Sequence, residues 1–234
     1  MSGRFAFPIG DELRRTRAVA WKDISAERRS KTNFNAVVFL ASLMLVMFGF
    51  ALGPDAEALR SAAAGVLWLT ILFSGVLAFN RSYQLELEGD SLETLLLYPG
   101  DRWPILLGKL AANLAFVLMV EVIVVPMAAV LYNVAIWHVL PPLLAVLALG
   151  TIGFVTLGTF YAAMASRVRA REVLLPLLLF PMLVPLLVAS VGATTALLAG
   201  NAMGDAGSWI RVLVVFDAIF FVASMLAFEY VIEV

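Results

Sequence analysis

The sequence predicts an all-α integral membrane protein with six transmembrane helices. Three observations carry that prediction. First, hydrophobic residues fill 62% of the 234 positions, against roughly 45–50% in soluble domains. Charged residues fill only 14%, against about 25% in soluble domains. Second, the apolar residues gather into six runs near bilayer length. Third, the positive charges alternate between the two sides of those runs. A soluble enzyme, a nucleic-acid binder and a disordered chain are excluded by composition. The absence of cysteine excludes a disulfide scaffold and a thiolate metal site.

Residues 1–33 read as a basic segment preceding the spans. Asp11 is a candidate N-cap after Pro8 and Gly10, for a helix running to Ser30. Leu13, Ala20, Trp21 and Ile24 fall on one side at helical spacing, and basic residues cover much of the rest. This predicts an interfacial helix on the inner leaflet, rather than a solvated arm that only sets topology. The first apolar run begins after 33 residues and exceeds a signal-peptide core, so a cleaved signal is not expected.

Residues 34–234 read as the transmembrane domain. The expected spans are Phe34 to Gly53, Ser61 to Asn80, Leu110 to Trp137, Pro141 to Ala165, Val173 to Ala199 and Val212 to Phe228. A span needs about 20 mostly apolar residues. Lipid leaves no partner for free backbone groups, so each span is a helix. Of the 16 Lys and Arg, only Arg60 and Arg211 fall in the loops after the first, third and fifth spans; the others lie on the N-terminal side of the bilayer. The positive-inside rule then puts both termini in the cytoplasm. No long internal repeat supports an inverted-repeat transporter.

The loop from Arg81 to Lys109 carries an element of its own. Gly89 ends the preceding helix, and Asp90 or Ser91 can cap a new one. Leu92, Leu95 and Leu96 then share a face, and Pro99-Gly100 ends it. Asp101 is the expected cap of the third span, with Pro104 in its first turn. The leucine face suits a groove on a cytosolic partner. It suits equally well docking on the protein's own helices or on lipid.

The run Glu88-Gly89-Asp90-Ser91-Leu92-Glu93-Thr94-Leu95-Leu96-Leu97-Tyr98-Pro99, followed by Arg102 and Gly108-Lys109, resembles the cytoplasmic segment of ABC-2 type permeases. A second stretch narrows the likeness. Arg167-Val168-Arg169-Ala170-Arg171-Glu172, followed by Pro176, Pro181 and Pro185, resembles the haem exporter protein B family of cytochrome c maturation (CcmB). The resemblance implies an ABC-2-like fold in the inner membrane, present in two copies. It implies that Glu88, Gly89, Leu92, Glu93, Leu95, Leu96, Pro99 and Arg102 belong to a coupling helix against a separate ATPase subunit. It further implies a haem-handling membrane protein and a haem chaperone as partners, with haem as cargo and ATP bound by the partner chain. The chain itself has no G-x-x-x-x-G-K-[ST] phosphate loop: Gly108-Lys109 is followed by Leu110, and position 103 is Trp. Alternatives are a lipid, polysaccharide or drug permease, or a membrane scaffold that conducts nothing. A membrane enzyme is not expected, since no catalytic arrangement of acid, histidine or serine stands in the spans.

Three further residues are candidate site groups. Glu121 and Asp217 are the only acids deep in the apolar spans. A charged acid costs about 2.5–3.5 kcal/mol at a helix centre on insertion scales, so each needs a pathway role or a packing partner. Ionised acids would repel a haem carboxylate, which argues against direct propionate contact. His138, the only histidine, stands beside Trp137 at the outer end of the third span. It is a candidate haem contact, by axial ligation, or an interfacial polar residue. Gly150, Gly153, Gly158, Ala162 and Ala165 permit close helix approach in span four. The three prolines are expected to bend span five or break its first turns. Gly200 to Trp209 reads as an outward turn or short re-entrant piece.

Overall fold

The computed structural model describes residues 9–88, 102–165, 171–200 and 205–233. Its helices are α1 (Ile9–Ser30), α2 (Thr32–Leu52), α3 (Ala56–Glu88), α4 (Trp103–Leu131), α5 (Leu140–Ala165), α6 (Arg171–Leu198) and α7 (Asp205–Glu233). A 3-10 turn, Trp137–Val139, precedes α5. No strand occurs among the described residues. Helices α2 to α7 are each long and apolar enough to cross a membrane.

The bundle has two central helices. In α3 and α5, 72% of the most apolar window is buried, against 17% in α2 and α7. Helices α5, α6 and α7 pack on one another, α2, α3 and α4 do likewise, and α3 touches α6 as well as α5. Glycine notches receive aromatic rings where the central helices meet. The Phe154 ring fills the space at Gly75, and the Phe79 ring fills the space at Gly158. These two rings also pack together, with centroids 5.0 Å apart. The Trp68 ring occupies the notch at Gly150, and the Trp209 ring that at Gly192. Lipid offers no hydrophobic drive between helices, so close packing at small residues holds the bundle. Gly158 therefore serves contact within the chain.

Several boundaries depart from the apolar runs. The third span starts at Trp103, seven residues before Leu110, and ends at Leu131. Arg102 holds its N-cap position without a side-chain cap bond, and Pro104 is in its first turn as expected. Asp101 lies outside the described residues. Lys109 is consequently a helix residue and not a loop charge. Helix α1 starts at Ile9, so Asp11 sits in the first turn instead of capping it. The sixth span starts at Asp205, which shortens the expected Gly200–Trp209 turn to at most five residues. Arg211 is within α7, where its Nε donates to the Gly207 carbonyl at 3.3 Å.

The prolines do not break α6, which is one helix from Arg171 to Leu198. The buried stripe of α6 is Leu175, Leu179, Leu183 and Leu186. Pro181 and Pro185 are on the exposed side, so their rings leave that packing stripe intact.

Candidate functional site

The polar side chains inside the bundle converge on residues 150–153 of α5. Glu121, from α4, is buried, and its carboxyl accepts a hydrogen bond from the Thr151 hydroxyl. The Asp217 carboxyl, from α7, lies against Gly153, where a side chain would displace it. Asp217 is buried, and neither oxygen has a partner among the described residues. The Ser190 hydroxyl and the Trp68 ring meet at Gly150. Trp68 Nε1 donates to Thr194 Oγ1 at 3.0 Å, and that hydroxyl donates to the Ser190 carbonyl at 2.8 Å. About two turns away along the same α4–α5 seam, Asn113 Nδ2 donates to Thr159 Oγ1 at 3.0 Å. Two carboxyls thus approach one short stretch of the central helix, from α4 on one side and α7 on the other. The arrangement can hold the helices in register, and it gives α5 two groups whose charge state would alter its packing.

Two small cavities flank this cluster among the described residues. One of about 10 Å³ is lined by Glu121, Ser74 and apolar side chains. A second, nearer the α4–α5 connection, holds about 20 Å³. Each has room for about one water.

His138 is elsewhere. It is exposed in the 3-10 turn, at the end of the bundle opposite α1. There it lines an open cleft of about 1220 Å³ with Trp137, Arg60, Asn133, Asp55 and Glu57. Arg60 Nε donates to the Asn133 carbonyl at 3.0 Å, tying α3 to the α4–α5 connection. No cluster of three or more metal-ligating side chains occurs among the described residues.

The basic end holds the remaining candidates. Glu88 closes α3, Arg102 precedes α4, and Arg171 and Glu172 open α6. Gly89, Leu92, Glu93, Leu95, Leu96, Pro99, Arg167 and Arg169 lie outside the described residues, and so does the leucine-faced helix expected there.

The tertiary structure adds a polar contact that the spacing does not reveal. Lys109 is 1% exposed, and its Nζ lies 3.4 Å from Asp23 Oδ2 of α1. Val19 of α1 packs on Gly108, where a Cβ would come within 2.6 Å of Val19 Cβ. Helix α1 therefore lies along the start of α4. Its buried face is Glu12 and Val19, with Thr16 and Asp23 half-buried beside them. Of the expected apolar stripe, Leu13 and Trp21 point away from the bundle at 58% and 63% exposure, while Ala20 and Ile24 are half-buried.

Comparison with known proteins matches the sequence to one family. The family profile described as "CcmB protein" covers residues 14–234. The chain is 29% identical over 186 residues to "Heme exporter protein B" of Pseudomonas aeruginosa, covering 80% of this chain and 82% of the relative. It is 30% identical over 176 residues to the protein of that name from Rhodobacter capsulatus, covering 74% and 78%. For the Haemophilus influenzae protein of that name the identity is 30% over 165 residues, covering 70% and 73%. With a family match spanning all six apolar helices, this chain is a multi-pass membrane protein belonging to the CcmB family.

Proposed function

We propose that this chain is the permease subunit of an ATP-driven complex that delivers haem for c-type cytochrome maturation. The observation that carries the reading is the family match over residues 14–234, with relatives that bear the name of heme exporters. In this reading the chain sits in the inner membrane as two copies, with its termini in the cytoplasm. The bias of Lys and Arg toward the α1 end supports that orientation. ATP is bound by a separate ATPase subunit, because the chain carries no phosphate loop of its own. The coupling surface is the segment from Glu88 to Arg102, with Arg167, Arg169, Arg171 and Glu172 at the same end. Nucleotide-driven closure of the ATPases pushes on that segment and moves α3 and α4, which it joins.

Haem is cargo here, handed to a haem-binding membrane protein and a chaperone on the outer side. His138 is the one imidazole able to meet haem iron, and it stands in the outer cleft. Glu121 and Asp217 act within the bundle as packing or switching acids.

Leu95→Asp tests the coupling claim. The variant is expected to insert normally, to lose co-purification of the ATPase in mild detergent, and to stop cytochrome maturation. Retention of the ATPase with normal ATP turnover would remove Leu95 from the coupling surface. Wild-type eluates should also contain a haem-binding subunit, seen as haem absorbance. A lone monomer without ATPase or haem protein would overturn the assignment.

A further inference from the structure

Helix α1 is held to the start of the bundle at two points. At its C-terminal end only Lys31 separates it from α2, whose apolar run begins at Phe34. Lys31 adopts a left-handed backbone (φ 43°), and the Glu27 carboxylate accepts the Phe34 N–H at 3.0 Å. Further back, Val19 rests on Gly108 and Asp23 meets Lys109, in the second turn of α4. These two contacts hold α1 beside the first turns of α2 and α4.

The face of α1 opposite these anchors is a stripe of Leu13, Arg14, Arg17, Ala18 and Trp21, all exposed. Lys22 flanks the stripe and pairs with Asp23 at 3.4 Å. An exposed indole and leucine beside two guanidinium groups match the boundary between acyl chains and anionic headgroups. Indole rings settle at headgroup level, and arginine binds phosphate oxygens in bidentate fashion. We propose that this outward face of α1 binds anionic phospholipid headgroups, and that the Asp23–Lys109 and Val19–Gly108 contacts on its inner face relay that binding to the start of α4. The lipid surface thereby steadies the helix that follows the 89–101 segment. The inference does not depend on the cargo or on an ATPase.

The chain has no cysteine, so Ala18→Cys gives a unique labelling site. A spin label there reports depth in vesicles of the full-length protein without ATP, haem or partners. In phosphatidylcholine with about 30% phosphatidylglycerol, the label is expected at headgroup depth, and in phosphatidylcholine alone it should become water-accessible. Amides of residues 103–112 should exchange about threefold more slowly in the anionic vesicles. Arg14→Gln/Arg17→Gln, both at exposed positions, should abolish both effects. Asp23→Asn should keep the label depth and lose the exchange difference. A label equally water-accessible in both vesicles overturns the lipid site. Protection that arises only on adding a cytosolic protein overturns it in favour of a protein partner. Equal exchange in both vesicles, or an undiminished difference in Asp23→Asn, overturns the relay.

Discussion

Lys109 and Glu121 are buried polar groups of different kinds, and removing their partners should cost the fold differently. Lys109 is an ammonium held between α1 and α4, with Asp23 as a partner at 3.4 Å. Asp23→Ala takes away a counter-charge and should lower stability by about 1–3 kcal/mol, the cost of an under-satisfied buried polar group. Thermal unfolding in detergent measures it. A Lys109→Met/Asp23→Ala double variant should recover part of that loss, because burying neither charge is cheaper than burying one. Glu121 bonds to Thr151, so Glu121→Gln keeps an acceptor and should unfold near the wild-type temperature. Glu121→Leu strips the Thr151 hydroxyl of its acceptor and should be the less stable of the two. If Gln and Leu unfold alike, that hydrogen bond contributes nothing to packing.

Helix α1 packs along the start of α4, with its closest approach at Gly108. At Gly108 an added Cβ would meet Val19 Cβ at 2.6 Å and the Thr16 carbonyl oxygen at 2.8 Å. The second of these is backbone, so α1 as a whole has to move. Gly108→Leu should displace the helix, cost about 1–3 kcal/mol of overpacking, and expose residues 9–30 to limited proteolysis. Unchanged proteolysis would mean that α1 is held mainly elsewhere. The element also shows what periodicity leaves open. Leu13, Ala20, Trp21 and Ile24 form the visible apolar stripe, and the face that packs on α4 is Glu12, Thr16, Val19 and Asp23. A helix at a membrane surface has two neighbours, lipid and protein, and an apolar stripe does not say which of them it faces. Helix α6 gives the second example. Its three prolines suggest a break, but spaced four and five residues apart, with the later two on the exposed side, they leave the Leu175–Leu186 stripe packed.

For the whole molecule, the distribution of Lys and Arg sets a definite orientation. Single cysteines introduced at Arg4 and Ser91 should resist a membrane-impermeant maleimide in intact cells, while one at Asn133 should react. The reverse pattern would invert the topology and place the basic end outside. The same chain-wide view separates the two candidate regions. The two carboxyls that face α5 sit inside the bundle, and the His138 cleft opens at the end away from α1.

The sequence by itself determined the number of spans, the helical class and the asymmetry of charge. Each rests on a sum over many residues: lipid forces every apolar run into a helix, and positive charge resists translocation whatever the neighbouring helices do. It also showed that Glu121 and Asp217 need a reason to be where they are. Only the tertiary structure decided what that reason is in contact terms. Thr151 and Gly153 are two residues apart on α5, while Glu121 and Asp217 are 96 residues apart in the chain, so no local pattern could join them. The same holds for Lys109. Next to an apolar run it reads as a loop charge, and only the packing of α1 on α4 brings Asp23 to it and lets the third span begin at Trp103.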